Sequence, residues 1–182
     1  MARIADRFTL RVGVLDDLAA LGEIDADASA VFEQAGLFLD LPETHEFPAA
    51  ERRRWRECLM ARSTLVALDE ASIPIGFAAV GRRDGEAYLA QLSVRQRFMR
   101  GGIGSALLAA ACEIAQACGS REMWLTTYAH LPWNRPFYER HGFRVVSEPE
   151  CGPELLCEHV IEKKWLPLPH ERVVMCRELR HG

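Results

Sequence analysis

Long apolar runs are missing from this 182-residue chain. Its most apolar stretches, such as residues 103–112, fall well short of the about 20 residues a helix needs to cross a bilayer. No membrane association is therefore expected. A basic excess is missing too: Lys and Arg total 22 against 26 Asp and Glu, a formal net charge of −4. A nucleic-acid binder ordinarily shows the opposite balance, so no nucleic-acid partner is expected. The six cysteines form no C-x-x-C pair, and no histidine stands at zinc-finger spacing from one, so no metal is expected. A chain of this length can bury a core without covalent staples, and the cysteines read as free thiols. Residues 1–14 already mix Arg, Asp and Arg and lack the charged, apolar, small-residue order of a leader, which points to a cytoplasmic location. Internal repeats, low-complexity segments and linkers are absent, so residues 1–182 are expected to form one domain.

What is present is an average globular composition, 49% hydrophobic and 26% charged, with two alternating periodicities. Residues 8–14 (FTLRVGV) alternate apolar and polar side chains, the pattern of a half-buried strand. Asp16 is a candidate cap for a helix whose stripe is Leu18, Leu21, Ile24 and Ala28. Residues 36–47, with Pro42 and no sustained period, read as a loop; residues 49–62 read as a helix with Arg52, Arg53, Arg54 and Arg56 mostly on a solvated face. Residues 64–68, 75–80 and 87–94 form a strand meander joined by turns at 69–72 and 82–85. Helices at 102–118, 133–141 and 154–164 then alternate with strands at 122–127, 143–146 and 172–179. The interleaving predicts one mixed α/β or α+β domain.

The segment LSVRQRFMRGGIGS, residues 92–105, carries the chemistry. A buried strand runs into a basic loop with Arg95, Arg97 and Arg100, and Gly101, Gly102 and Gly104 open a long helix. No acid lies between Glu86 and Glu113. A helix N-terminus offers unsatisfied N–H groups and the positive end of the macrodipole, and glycines let a phosphate approach the backbone. Several N–H groups in one concavity suit a diphosphate. The stretch lacks the Lys-Ser or Lys-Thr of a P-loop, and Leu107 breaks the dinucleotide G-x-G-x-x-G. Glycines serving only the bend are the remaining alternative.

RGGIGSALL, residues 100–108, resembles the acyl-CoA-binding loop of the GCN5-related N-acetyltransferases, whose pattern is Gln or Arg, two residues, Gly, any residue, then Gly or Ala. Gly102 and Gly104 fill the glycine positions; the Gln/Arg position falls on Met99, with Arg100 one place later. NRPFYERHGF, residues 134–143, is similar to the family's Asn-helix-Tyr-Glu-x-x-Gly-Phe segment. The strand and helix order agrees over about the full chain. The resemblance implies a central mixed, mostly antiparallel sheet of six to seven strands flanked by four to five helices, splayed between the fourth and fifth strands.

The resemblance also implies roles. Pantetheine would pair with backbone groups of Leu92, Ser93 and Val94. The pyrophosphate would sit on the N–H groups of Arg100, Gly101, Gly102, Gly104 and Ser105, with Arg95 or Arg97 near the adenosine phosphates. Asn134 would hydrogen-bond the cofactor near its thiol end, and Tyr138 would protonate the departing thiolate, since an ordinary phenol keeps its proton at neutral pH. An amine acceptor is almost all cation at pH 7, and freeing it costs roughly 4.6 kcal/mol, so a base is useful. The strand positions where the family often carries one read Tyr88, Ala90, Gln91, Thr126 and Thr127. Glu86, acting through water, and His130 are the candidates that remain; approximation with bulk water is the alternative.

The acceptor would be selected by the first two helices and their connection, where Glu33, Asp40, Glu43 and Glu46 interleave with Phe32, Phe38 and Phe47. That composition suits a cover over a cationic, partly apolar amine, or an ordinary solvated loop. The leading expectation is an N-acetyltransferase that moves an acetyl group from acetyl-CoA to the primary amine of a small molecule by direct attack through a tetrahedral intermediate. A protein or peptide N-terminal acetyltransferase, with an open acceptor groove, is the second reading, and a non-catalytic CoA-binding sensor the third. Dimers are common among such proteins, and a homodimer sharing the last strand is a further expectation.

Overall fold

A computed structural model describes residues 8–38, 41–42 and 44–179. Among these, seven strands and five helices follow the order β1 (Thr9–Val12), α1 (Leu18–Gln34), α2 (Glu46–Met60), β2 (Thr64–Leu68), β3 (Pro74–Arg83), β4 (Glu86–Val94), α3 (Ile103–Ala117), β5 (Glu122–Tyr128), α4 (Arg135–Arg140), β6 (Arg144–Val146), α5 (Pro153–Trp165) and β7 (Arg172–Glu178). The strands make one sheet ordered β1-β2-β3-β4-β5-β7-β6. Every neighbouring pair is antiparallel except β4 and β5. The mixed, mostly antiparallel architecture is therefore as expected. None of the described helices is long and apolar enough to cross a membrane.

Strand alternation sorts the core onto two faces. On one face Leu65, Ala67, Ala78 and Val80 pack against Leu107, Leu108 and Ala111 of α3. On the other, Val66, Phe77 and Ala79 meet Leu21 and Ile24 of α1 and Trp55, Cys58 and Leu59 of α2. Phe77 is fully buried with its ring 5.5 Å from that of Trp55, and a side chain of that size contributes about 2–3 kcal/mol through burial. Tyr88 and Trp124 form a third cluster with Leu155 of α5, which covers the β5–β7 half of this second face. At Gly76 of β3 a Cβ would lie 3.0 Å from the Ser93 carbonyl and 3.3 Å from Leu107 of α3, so β3 needs a glycine there.

Two local expectations are corrected. Asp16 does not cap α1; a short 3-10 turn over Leu15–Asp17 precedes the helix, and Asp17 carries the local bonds. Its carboxylate accepts from the Val14 N–H at 2.8 Å and pairs with Arg11 at 2.7 Å, which holds the group below the usual carboxylate range. The last strand is not an edge: β7 lies between β5 and β6, so Val174, Met175 and Cys176 have strand partners on both sides within one chain.

Candidate active site

The site grows from one interruption in the sheet. The parallel pairing of β4 with β5 comprises Ala87 with Met123 and Tyr88 with Trp124, and then stops. Along its other edge β4 stays paired with β3 as far as Val94. Between Ala79 and Val80 the β3–β4 register shifts, so that Ala90 is an inserted residue, a bulge that turns β4 away from β5. Among the described residues the β5-facing backbone groups of Leu92, Ser93 and Val94 consequently lack a strand partner, and the sheet splays open between β4 and β5.

Beyond Val94 the chain passes through a 3-10 turn, Gln96–Phe98, to the start of α3. Arg100 and Gly102 both have positive φ, +62° and +83°, and Gly102 is the residue before the helix. The first-turn N–H groups of Ile103, Gly104 and Ser105 have no intrahelical acceptor, and Gly104 lies near Val94 at the end of β4. A Cβ at Gly104 would meet Val94 and Phe137 at 3.9 and 3.7 Å. Met99, at the position where the loop pattern has Gln or Arg, packs with Phe98 against the main core and anchors the loop from below.

α1 clamps this loop. Asp27 accepts from the Gln96 backbone N–H at 2.7 Å, and its own carbonyl accepts from the Gln96 side chain at 2.7 Å. Arg95 is paired with Glu23 at 3.1 Å and donates to the Pro74 carbonyl, whereas Arg97 lies over the Phe98 ring and is exposed. Of the two arginines considered for the adenosine phosphates, Arg97 is thus the less encumbered.

On the α3 face of the gap, α4 brings Tyr138 against Phe137 and Phe143, with ring centroids at 5.1 and 5.7 Å. Burial pushes its phenol well above the ordinary tyrosine value, partly offset by the charge of Arg172. Its hydroxyl has no hydrogen-bond partner among the described residues. Asn134 immediately precedes α4, and its carbonyl accepts from the Tyr138 N–H at 3.1 Å.

The opposite face is ionic. Asp25 of α1 accepts from Gln91 and Ser93 of β4 at 2.6 and 2.8 Å, and burial raises its pKa against those bonds. Glu162 of α5 accepts from Thr126 of β5 at 2.7 Å and from Arg172 of β7 at 2.5 Å; Thr126 in turn shares a hydrogen bond with Tyr88 at 3.2 Å. Glu158 pairs with Arg54 of α2 at 2.6 Å and Arg83 of β3 at 2.8 Å. Glu51 of α2 lies within electrostatic reach of Asp25, Arg54, Glu158 and Glu162. Desolvation first, then repulsion from Asp25 and Glu162, raises it to about 8. Among the described residues its carboxylate has neither an ion pair nor a hydrogen bond.

The two base candidates read from sequence do not meet at this point. Glu86 is at the start of β4, about 20 Å of extended strand from Leu92, and its carboxylate accepts from the N–H groups of Arg121 and Glu122 at 2.8 and 3.3 Å. His130 follows β5, with Nδ1 3.4 Å from Glu171 and its ring 5.7 Å from Tyr128. In the acidic connection, Glu33, Glu46 and Phe38 are exposed, Phe47 is in the core, and Phe32 packs near Tyr128 and Trp133. Asp40 and Glu43 lie outside the described residues. Sequence reasoning missed Glu51, Asp25, Glu158 and Glu162. For Glu51 a signal existed: it stands four residues after Phe47 and four before Trp55, on the buried stripe of α2. No group of three or more His, Cys, Asp or Glu among the described residues could hold a metal.

A family model described as the acetyltransferase (GNAT) family matches residues 31–143, more than half of the chain. Solved structures share the fold. PaiA N-acetyltransferase from Thermoplasma acidophilum, in complex with coenzyme A, is 20% identical, with 94% of this chain and 98% of that one covered and a TM-score of 0.63. The ribosomal-protein-S18-alanine N-acetyltransferase of Escherichia coli is 17% identical, with 96% of each chain covered and a TM-score of 0.64. N-acetylglutamate synthase from Neisseria gonorrhoeae, complexed with coenzyme A and N-acetyl-glutamate, is 17% identical with a TM-score of 0.66. The match takes in 96% of this chain and 35% of that one, so the chain spans about a third of the synthase's length.

Proposed function

The chain belongs to the acetyltransferase (GNAT) family, and on that premise we propose that it is an N-acetyltransferase that takes an acetyl group from acetyl-CoA to the primary amine of a small molecule. The observation that carries this reading is the gap between β4 and β5 with the Gly102 turn and the α3 N-terminus at its end. The residues fit the donor substrate. Free backbone groups of Leu92, Ser93 and Val94 suit a pantetheine arm, and one of their N–H groups can donate to the developing oxyanion. The turn at Arg100, Gly101 and Gly102, with positive φ at Arg100 and Gly102, and the N–H groups of Gly104 and Ser105 suit a diphosphate. Asn134 stands near the thiol end, and Tyr138 offers the leaving sulfur a protonated phenol. Bound acetyl-CoA supplies the thioester, and the gap lets an amine on the other face reach it.

A small acceptor is favoured over a protein terminus because the acceptor side is roofed. Arg54 and Glu158 tie α2 to α5 at 2.6 Å, the His45 ring meets Trp165 edge-on with centroids 4.5 Å apart, and the Tyr128 hydroxyl donates to the Pro167 carbonyl at 2.8 Å. An extended peptide needs an open groove there.

Thermal unfolding with about one millimolar acetyl-CoA, CoA or ATP tests the donor. At a hundred times Kd a ligand stabilises by roughly 2.7 kcal/mol, or on the order of 5–10 °C here. Shifts with acetyl-CoA and CoA but not ATP are expected, followed by thiol release with small amines exceeding that with peptide amino termini. Equal shifts with ATP, or none with acetyl-CoA, would remove the reading.

A further inference from the structure

We infer that Glu51 of α2 is the residue that receives the acceptor's ammonium group and takes its proton, an assignment that rests on the acetyltransferase reading above. The gap joins two chemically different faces. Tyr138 and the α3 N-terminus lie on one, while α1, α2 and α5 cover the other, where an acceptor must wait. Glu51 lies four residues from both Phe47 and Trp55 on the buried stripe of α2, the stripe that packs on this second face. Asp25, within its reach, is bonded to Gln91 and Ser93 on the β4 wall; Glu162, also within its reach, is bonded to Thr126 on the β5 wall. A carboxylate on the same helix stripe as Phe47 and Trp55 is on the side of the sheet from which an acceptor must approach.

Its neighbours are committed elsewhere. Glu158 is neutralised by Arg54 and Arg83, Glu162 by Arg172, and Asp25 accepts two hydrogen bonds. Arg54, the arginine of its own helix within its electrostatic reach, is held by Glu158, and the Tyr88 hydroxyl by Thr126. Glu51 alone of these acids keeps both carboxylate oxygens uncommitted among the described residues. Burial first, and then the charges of Asp25, Glu162 and Glu158, raise it to about 8, far nearer an alkylammonium than an ordinary carboxylate is, and the same charges favour a cation beside it.

The proton balance is complete. The ammonium gives one proton to the Glu51 carboxylate, which passes it to water. The free amine attacks the thioester carbonyl; the C–N bond forms and the C–S bond breaks. The nitrogen's second excess proton is released as Tyr138 supplies one to the sulfur and regains it from solvent. The products are the N-acetyl amine, CoA thiol and one proton in solution.

The test is the kcat–pH profile, from pH 6 to 9.5, of the full chain and its Glu51→Gln and Glu51→Asp variants. Thiol release is followed with n-butylamine, L-glutamate and an Ala-Gly dipeptide as probes, and acetyl-CoA thermal stabilisation is measured in parallel. The wild type is expected to show an ascending acid limb. Glu51→Gln should lose about a hundredfold or more in kcat together with that limb, and Glu51→Asp should keep part of both, with acetyl-CoA stabilisation unchanged throughout. A Glu51→Gln enzyme that keeps the limb, or stays within twofold in kcat, overturns the assignment. So does a variant whose acetyl-CoA stabilisation falls with its activity, since its role would then be structural. A wild type that acetyl-CoA stabilises but that turns over none of the probes overturns it as well, and a wild type that acetyl-CoA fails to stabilise overturns the acetyltransferase reading itself.

Discussion

A phenol screened from water holds its proton more tightly than one in solution, because desolvation penalises the phenolate. Tyr138 is in that state, so it remains a hydrogen-bond donor at any working pH. Tyr138→Phe removes the hydroxyl and keeps the ring contacts with Phe137 and Phe143. Under the proposed chemistry kcat should fall by about ten- to a hundredfold, while acetyl-CoA stabilisation stays the same; full activity in the variant would return Tyr138 to a packing role. Tyr138 was legible because its neighbours Asn134, Glu139, Gly142 and Phe143 form a recognisable motif. Glu51 was not, because a lone acid among arginines reads as part of a solvated face. Only its place on the stripe with Phe47 and Trp55 hinted otherwise. Which acids are left unpaired is a tertiary property: Arg54 sits three residues from Glu51 yet pairs with Glu158, 104 positions away.

Elements were the most legible level, since strand and helix periods are written locally. All seven strands and all five helices occur within a few residues of their expected ranges. Their docking was less legible. The Arg82–Gly85 turn was expected as a tight hairpin, and it is one, with Asp84 at φ +51° and Gly85 at +82°. Its second task appears only in three dimensions. The Asp84 carboxylate accepts from the N–H groups of Glu154 and Leu155, both at 3.0 Å, and so caps the first turn of α5 seventy residues later. The carboxylate also complements the positive end of the helix dipole. Asp84→Ala should cost about 2 kcal/mol, from the lost cap together with an unfavourable left-handed alanine. The expected fall in melting temperature is about 4–8 °C. Because α5 carries Glu158 and Glu162, the same variant should raise the acceptor KM more than it weakens acetyl-CoA stabilisation. An unchanged melting temperature would show that the side chains of α5, and not its cap, hold it in place.

At the scale of the whole molecule, one sheet serves two purposes that conflict. Its ladders stabilise the fold, and its gap exposes backbone and gathers acids that a stability-optimised protein would avoid. The gap was legible from the family's pattern, but the charge around it was not, because the net −4 of the chain says nothing about where four acids converge. That convergence has a measurable consequence. Glu51 ordinarily ionises near 4.5 and is raised to about 8 in the folded chain. Between those values the unfolded chain has released a proton that the folded chain retains, so raising pH favours unfolding. Stability from this group is fully present below about pH 4.5, declines through the interval, and levels off above about pH 8. Full development of the displacement corresponds to about 5 kcal/mol. Glu51 is only partly buried, and solvent screening reduces the expectation to about 2 kcal/mol. Glu51→Gln cannot titrate, and it leaves Asp25, which titrates in the same direction, in place. Its melting temperature should therefore match the wild type near pH 4.5 and exceed it by about 4–8 °C at pH 8. Two melting curves that run parallel from pH 4.5 to 8.5 would mean that Glu51 ionises in the folded chain as freely as in the unfolded one.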